Sequence, residues 1–234
     1  MHEVTLWKEH EIVIREVFRK AFVYYRLMGD ASASDLSAFI LAGGKSTRMG
    51  TDKAFLEFEG RTLLARALDL AHSVTQKVSI VGNRERFASF GRVVEDIFRD
   101  CGPLAGIHAA LRCSTTELNL MLAVDMPFIS PAFLQYLLRQ AQSAPEAVVI
   151  VPRASGRRQP LCAMYRRDFA GFAETALGRG QNRIDRLFEE IRTRMIDETE
   201  LDRAGFSLEI FRNLNTPDEL ENAKSQFAQP EMRR

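Results

Sequence analysis

Leu36-Ser-Ala-Phe-Ile-Leu-Ala-Gly-Gly-Lys-Ser-Thr-Arg-Met-Gly-Thr-Asp-Lys53 is the stretch that decides the fold. Its first six residues, Leu36–Leu41, have the length and apolar character of a buried strand. The chain then enters Ala42-Gly43-Gly44, where paired glycines permit positive φ and leave backbone N–H groups unshielded. Such a turn can form a nest for phosphate oxygens. Lys45, Arg48 and Lys53 follow in the same loop. Arg48 can clamp oxygens in a fork, and Lys53 can act as a point charge. Two familiar phosphate loops are excluded. A Walker A loop needs a glycine five residues before Gly44, and position 39 is Phe; the G-x-G-x-x-G fingerprint is absent too. A cationic surface loop without a ligand is the plain alternative. Its place directly after the first strand speaks against that, because ligands in such sheets gather at strand carboxyl ends.

Working outward, the pattern alternates. A helix is expected near Thr62–Val74, a strand at Val78–Val81 and another at Gly91–Glu95. Pro103–Arg112 reads as a helix, and Leu118–Val124 is a strongly apolar strand. Ser130-Pro131 supplies an N-cap and an N1 proline to a helix ending near Gln142. Ala147–Val151 and Leu161–Tyr165 read as strands, 167–177 and 182–190 as helices. Thr216-Pro-Asp-Glu219 is a capping box opening a last helix. Continuous apolar strands alternating with helices predict a three-layer α/β/α architecture with a mostly parallel central sheet.

Residues 1–34 differ. Ile14, Val17, Phe18, Ala21, Tyr25 and Met28 fall at helical spacing, with charges mostly elsewhere on the wheel. This predicts an amphipathic extension joined by a linker to a domain at 35–228. A packing appendage, a start at Met28 and a partner- or membrane-docking helix all fit this pattern.

Composition narrows the function. Of 234 residues, 46% are hydrophobic, which suffices for a core, and 32 basic against 31 acidic residues leave a formal charge of +1. No global basic field calls for nucleic acid, so an anion site must be local. The three cysteines, Cys101, Cys113 and Cys162, form no C-x-x-C pair, which argues against zinc or a disulfide framework. No run approaches the ~18 apolar residues of a membrane span. A reduced, cytoplasmic setting without stable membrane association is the expectation.

Asp125 closes the Leu118–Val124 strand. A carboxylate there can coordinate Mg²⁺, which bridges phosphates; a turn-forming Asp is the plainer reading. Asp96 ends the Gly91–Glu95 strand at an equivalent edge. It can accept hydrogen bonds from an N–H pair such as guanine offers, or serve as a solvated loop acid. Gly102-Pro-Leu-Ala-Gly106 places small residues where a base or ribose can lie close to backbone, or where a helix must pack tightly. The four histidines show no H-x-x-x-H pairing, and Ser46 and Ser130 lie in no G-x-S-x-G elbow.

The string Leu41–Lys53 closely resembles the signature of the molybdenum cofactor guanylyltransferases. Gly102-Pro-Leu-Ala-Gly106, Asp125-Met-Pro127, Gln159-Pro-Leu161 and Asn213-Leu-Asn-Thr-Pro-Asp-Glu-Leu220 resemble the later blocks of that family, in order, over about residues 36–225. The double glycine and the Asp52-Lys53 pair favour the guanylyl branch, since related cytidylyltransferases usually carry Ala-Ala-Gly in the turn. The resemblance implies a Rossmann-like nucleotidyltransferase fold and transfer of GMP from GTP to the phosphate of Mo-molybdopterin, with release of pyrophosphate. It implies that Leu41, Ala42, Gly43 and Lys53 contact GTP, that Asp96 lies on the guanine side and that Asp125 holds Mg²⁺. Some members carry His-Pro where Gln159-Pro160 stands, and 1–34 has no family counterpart.

Together these readings nominate Arg48, Lys53 and Asp125 as catalytic. They nominate Leu41, Ala42, Gly43, Gly44, Lys53, Asp96, Gly106 and Asp125 for GTP, and Asp125 for Mg²⁺. Transient contact with molybdoenzymes or cofactor-biosynthesis proteins is expected. The alternatives are another nucleotidyltransferase of this fold, acting on a sugar phosphate or a different pterin nucleotide, and a non-catalytic GTP- or cofactor-binding protein.

Overall fold

The computed structural model describes residues 35–43, 53–214, 219–221 and 223. The 1–34 segment, the loop residues Gly44, Lys45 and Arg48, and Thr216–Asp218 of the capping box lie outside them.

The expected apolar strands are present. They are β1 (Leu36–Leu41), β4 (Lys77–Val81), β6 (Leu118–Ala123), β7 (Val149–Ala154) and β9 (Cys162–Arg166). Two short hairpin strands, β2 (Glu57–Phe58) and β3 (Arg61–Thr62), pair with each other. With β5 (Val93–Val94), β8 (Arg157–Arg158) and β10 (Thr193–Ile196), the main sheet runs in the order β10-β7-β9-β6-β1-β4-β5, and β8 pairs with β7. Pairings β1–β4, β1–β6, β4–β5 and β7–β10 are parallel. Only β9 opposes both its neighbours, β6 and β7.

The three layers follow from residue alternation. On β1, Leu36, Ala38 and Ile40 pack into one core while Phe39 packs into the other. On β6, Leu118, Leu120 and Leu122 face the first core and Met121 the second. Side chains on a strand alternate between faces, so a strand apolar throughout must be covered twice. The first face is covered by α1 (Leu63–His72) and α4 (Pro131–Ser143). The second is covered by α3 (Pro103–Cys113), α5 (Phe169–Gly178) and α6 (Ile184–Glu190). The short helices α2 (Arg84–Phe87) and α7 (Glu198–Arg203) complete the described set. Ser130 caps α4 as its sequence predicts, accepting from the Phe133 N–H at 3.2 Å. Residues 219–221 are helical.

Element bounds depart from the sequence reading where backbone pairing decides. The strand expected over Gly91–Glu95 shrinks to Val93–Val94, because only these two continue the β4 ladder from Ile80 and Val81. The strand expected to end at Val151 runs on through Pro152 to Ala154. Proline has no N–H to give, but its carbonyl accepts from Gln159 N at 2.8 Å and keeps the strand paired. Among the described residues no helix is long and apolar enough to cross a membrane.

Candidate active site

From β1 the chain crosses to β4 on one side and later returns as β6 on the other. That reversal makes a crevice beyond the carboxyl ends, the usual ligand position in a doubly wound sheet. Three strand ends are stitched there. Ala42 N donates to Val81 O at 3.0 Å, and Val124 N donates to Leu41 O at 3.2 Å. A cavity of about 540 Å³ opens over them, with Leu41, Ala42 and Gly43 on its floor.

Lys53 and Asp125 meet in this cavity although 72 residues separate them. Lys53 opens a single 3-10 turn, Lys53–Phe55, anchored by fully buried Ala54. Its Nζ reaches Asp125 Oδ2 at 3.5 Å, long for a hydrogen bond and close for an ion pair. Asp125 stands two residues past β6, and its carbonyl accepts from Leu214 N at 3.0 Å. The Asn213-Leu214 block is thereby fixed beside it. The Asp125 side chain is only 18% exposed. Burial raises its pKa above the ordinary aspartate value, and the Lys53 charge partly opposes that rise.

Asp96 and Gly106 form the opposite wall. Asp96 is exposed at the mouth, yet one side of its carboxyl lies against the wall, and this loss of solvent raises its pKa. A Cβ on Gly106 would lie 3.3 Å from Val81 Cγ1 and 3.5 Å from Asp96 Oδ1. The glycine therefore keeps this wall thin. Gly102, at φ 70°, turns the chain into α3 with Pro103 at N1, so the α3 N-terminus borders the cavity. Exposed backbone N–H groups and the helix dipole favour an anion there.

The structure thus brings together Leu41, Ala42, Gly43, Lys53, Asp96, Gly106 and Asp125 from the sequence prediction. Gly44 and Arg48 fall outside the described residues. Val81 and Asp100 also line the cavity without a functional signal of their own in the sequence, and Leu161 brings the Gln159-Pro-Leu161 block to it. Gln159 is engaged elsewhere, its side-chain amide donating to Ala154 O at 3.5 Å and Arg157 O at 3.4 Å. It braces the β7–β8 hairpin.

No serine, cysteine or histidine lines the cavity among the described residues. The Gly43 turn, the α3 N-terminus and the Lys53–Asp125 pair share this cavity, an arrangement suited to a polyphosphate and a cation. Sheet order and site together are those of a doubly wound α/β protein that takes its ligand at the switch point.

Comparison with known proteins agrees. Residues 38–195 match the MobA-like NTP transferase domain. A molybdenum cofactor guanylyltransferase of Syntrophotalea carbinolica is 34% identical over 193 residues, covering 81% of this chain and 91% of the relative. A probable molybdenum cofactor guanylyltransferase of Clostridium perfringens strain 13 is 33% identical over 190 residues, covering 80% and 94%. Among solved structures, molybdopterin-guanine dinucleotide biosynthesis protein A of Archaeoglobus fulgidus superposes with a TM-score of 0.71 at 26% identity, covering 82% of this chain and 98% of that one. The chain belongs to the MobA-like NTP transferase family.

Proposed function

We propose that the protein transfers GMP from GTP to the phosphate of Mo-molybdopterin, forming the guanine dinucleotide and releasing pyrophosphate. The observation that carries this reading is the Lys53–Asp125 pair, 3.5 Å apart at the switch point of the sheet. The guanylyltransferase relatives support it over 80% of the chain.

The acceptor phosphate is already an anion and needs little deprotonation. One of its oxygens attacks the α-phosphorus of GTP, the bond from that phosphorus to the α–β bridging oxygen breaks, and pyrophosphate leaves with the electron pair. Catalysis is then positioning and charge stabilisation. The Gly43 turn and the α3 N-terminus hold phosphate oxygens, and Lys53 draws the charge growing on pyrophosphate. We assign Arg48 to the same leaving group on its sequence position. Asp96 accepts from the paired N–H groups of guanine, while Gly106 leaves room for the base.

Mg²⁺ fits Asp125. The carboxylate is desolvated, and a cation on it opposes the pKa rise that burial causes. Among the described residues no three His, Cys, Asp or Glu side chains converge, so the other ligands would be triphosphate oxygens and water, as Mg²⁺ commonly takes them. The ion supplies Lewis-acid neutralisation of the phosphates.

Pyrophosphate release with Mo-molybdopterin and each of GTP, CTP, UTP and ATP tests the reading. GTP is expected to lead by about 10⁴-fold or more in kcat/KM, the scale on which a hydrogen-bonded site rejects a substrate lacking the matching group. Asp96→Asn should erode that lead. Equal turnover of CTP or UTP refutes the guanine assignment.

A further inference from the structure

Neither member of the Lys53–Asp125 pair stands on the sheet. The ladder of β6 ends at Ala123, and Lys53 opens a lone 3-10 turn. Strand register therefore does not set the 3.5 Å gap between them. Each is soon followed by a phenylalanine in its own segment, Phe58 after Lys53 and Phe128 after Asp125. These two rings meet edge to face, with centroids 5.6 Å apart and planes at 80°. Phe58 is fully buried and Phe128 half-buried. Neither ring lines the cavity.

A guanidinium lies over each ring. Arg66, on α1, has its Cζ 5.0 Å from the centroid of Phe58, and Arg212 has its Cζ 5.1 Å from that of Phe128. The ring quadrupole attracts a cation over its face and favours an edge-to-face partner. Arg66 is fixed further by Glu59 at 3.1 Å and by the Phe58 carbonyl, which accepts from Nη1 at 3.5 Å. Its Nε is buried without a hydrogen-bond partner, so the guanidinium keeps its place over the ring although one N–H goes unpaired. On the other side, Arg212 precedes Asn213-Leu214, and Leu214 N donates to the Asp125 carbonyl at 3.0 Å. The contacts Arg66–Phe58–Phe128–Arg212 thus run from α1 to the segment that pins Asp125, through the segments that carry both members of the pair.

We propose that the Phe58–Phe128 contact sets the Lys53–Asp125 gap and that Phe128 is a positioning residue for the transfer step, an inference that rests on the guanylyl-transfer reading above. The rings lie outside the cavity, so their influence on the reaction passes through Lys53 and Asp125. A leucine at position 128 fills much of the same space but offers neither an edge nor a face. The two segments can then shift against each other, and Lys53 no longer stands where the leaving group needs its charge.

The test measures kcat and the GTP KM for pyrophosphate release, with Mo-molybdopterin as acceptor and the thermal midpoint as a folding control. The variants are Phe128→Leu, Phe128→Tyr, Lys53→Ala and the combination of Phe128→Leu with Lys53→Ala. Phe128→Leu should lower kcat roughly tenfold, since displacing a catalytic group by about 1 Å can cost about 10²-fold, while the GTP KM stays within about twofold. Phe128→Tyr keeps the ring and should stay within about threefold of the unsubstituted protein. In the Lys53→Ala background there is no gap left to hold, so Phe128→Leu should lower kcat by less than about twofold more. Should Phe128→Leu fail to fold, Phe128→Met carries the same measurements under the same criteria. A kcat within about twofold in Phe128→Leu overturns the proposal, as does a Phe128→Tyr variant equally slow. The same loss in the Lys53→Ala background overturns it too, because a general loosening of the fold would act independently of Lys53. So does a raised GTP KM with kcat unchanged, which would mean that the ring contacts the nucleotide. If the unsubstituted protein releases no pyrophosphate from GTP, the guanylyl-transfer reading fails, and the same cycle is read on the GTP-induced shift in melting temperature.

Discussion

Replacing Lys53 with Ala removes the cation that pairs with the Asp125 carboxylate in the cavity. At 3.5 Å, Coulomb's law gives the pair about 5 kcal/mol at an effective dielectric of about 20, and about 1 kcal/mol in bulk water. The side chains are 24% and 18% exposed, which places the pair between those limits. A triphosphate oxygen drawing Lys53 away from Asp125 gains attraction on the same scale. Only the part that grows as pyrophosphate separates lowers the barrier, and one such donor typically contributes about 3–4 kcal/mol, or 10²–10³ in kcat. The variant should therefore lose at least about 100-fold in kcat for GTP-dependent pyrophosphate release. A second consequence follows from the same contact. Lys53 is the main group opposing the burial-driven rise of the Asp125 pKa. Without it the carboxyl titrates higher still, and the acid limb of the pH–rate profile should move to higher pH. Turnover within threefold of the unsubstituted protein, or an unmoved acid limb, refutes the argument.

Asp125→Asn should abolish the response of GTP binding to Mg²⁺, read as the Mg²⁺-dependent shift in melting temperature; an unchanged titration removes Asp125 as the metal ligand. In the unsubstituted protein the raised Asp125 pKa means that Mg²⁺–GTP binding fails on acidification at a higher pH than for an ordinary aspartate, which binding measured across a pH series will show. His108, on α3, is 1% exposed and neither ring nitrogen makes a hydrogen bond; burial lowers its pKa below 6.5 and outweighs the Glu174 carboxylate 3.8 Å from Nε2, which acts to raise it. The unfolded chain therefore binds the proton more readily, and stability is lost as pH falls through about 6.5 toward the folded value. His108→Leu should stabilise by about 1 kcal/mol and flatten that part of the pH slope; a variant that melts earlier at neutral pH refutes this.

The parts of the fold that sequence made visible are those where one local pattern suffices. Leu118–Val124 is apolar throughout and stops at a carboxylate, so both the buried strand and its charged end stand out. Ser130-Pro131 marks its helix start by chemistry alone. The β2–β3 hairpin was not visible, because its turn, Glu59-Gly60, puts a glutamate rather than asparagine or aspartate at positive φ. Edge strand β10 was hidden likewise, since Thr193-Arg-Met-Ile196 is half exposed and has no clean alternation. In the site, Lys53 and Asp125 were each legible, but their contact depends on β1 and β6 being neighbours, which is a property of topology. Arg153 and Arg158 face each other only through hairpin register, which no local pattern announces.

That reversed strand has an architectural consequence. The parallel strands β1, β4 and β6 deliver cavity-lining residues from their ends, and their spacing is locked by ladders and by helices on both faces. Beside them, β9 delivers residues from its beginning, at the foot of a surface hairpin. The hairpin can change length, charge or turn without shifting the register of those three strands. One half of this sheet edge is a fixed chassis and the other an interchangeable fitting. Residues 153–160 are accordingly the segment that can be exchanged while the register of that frame is left intact.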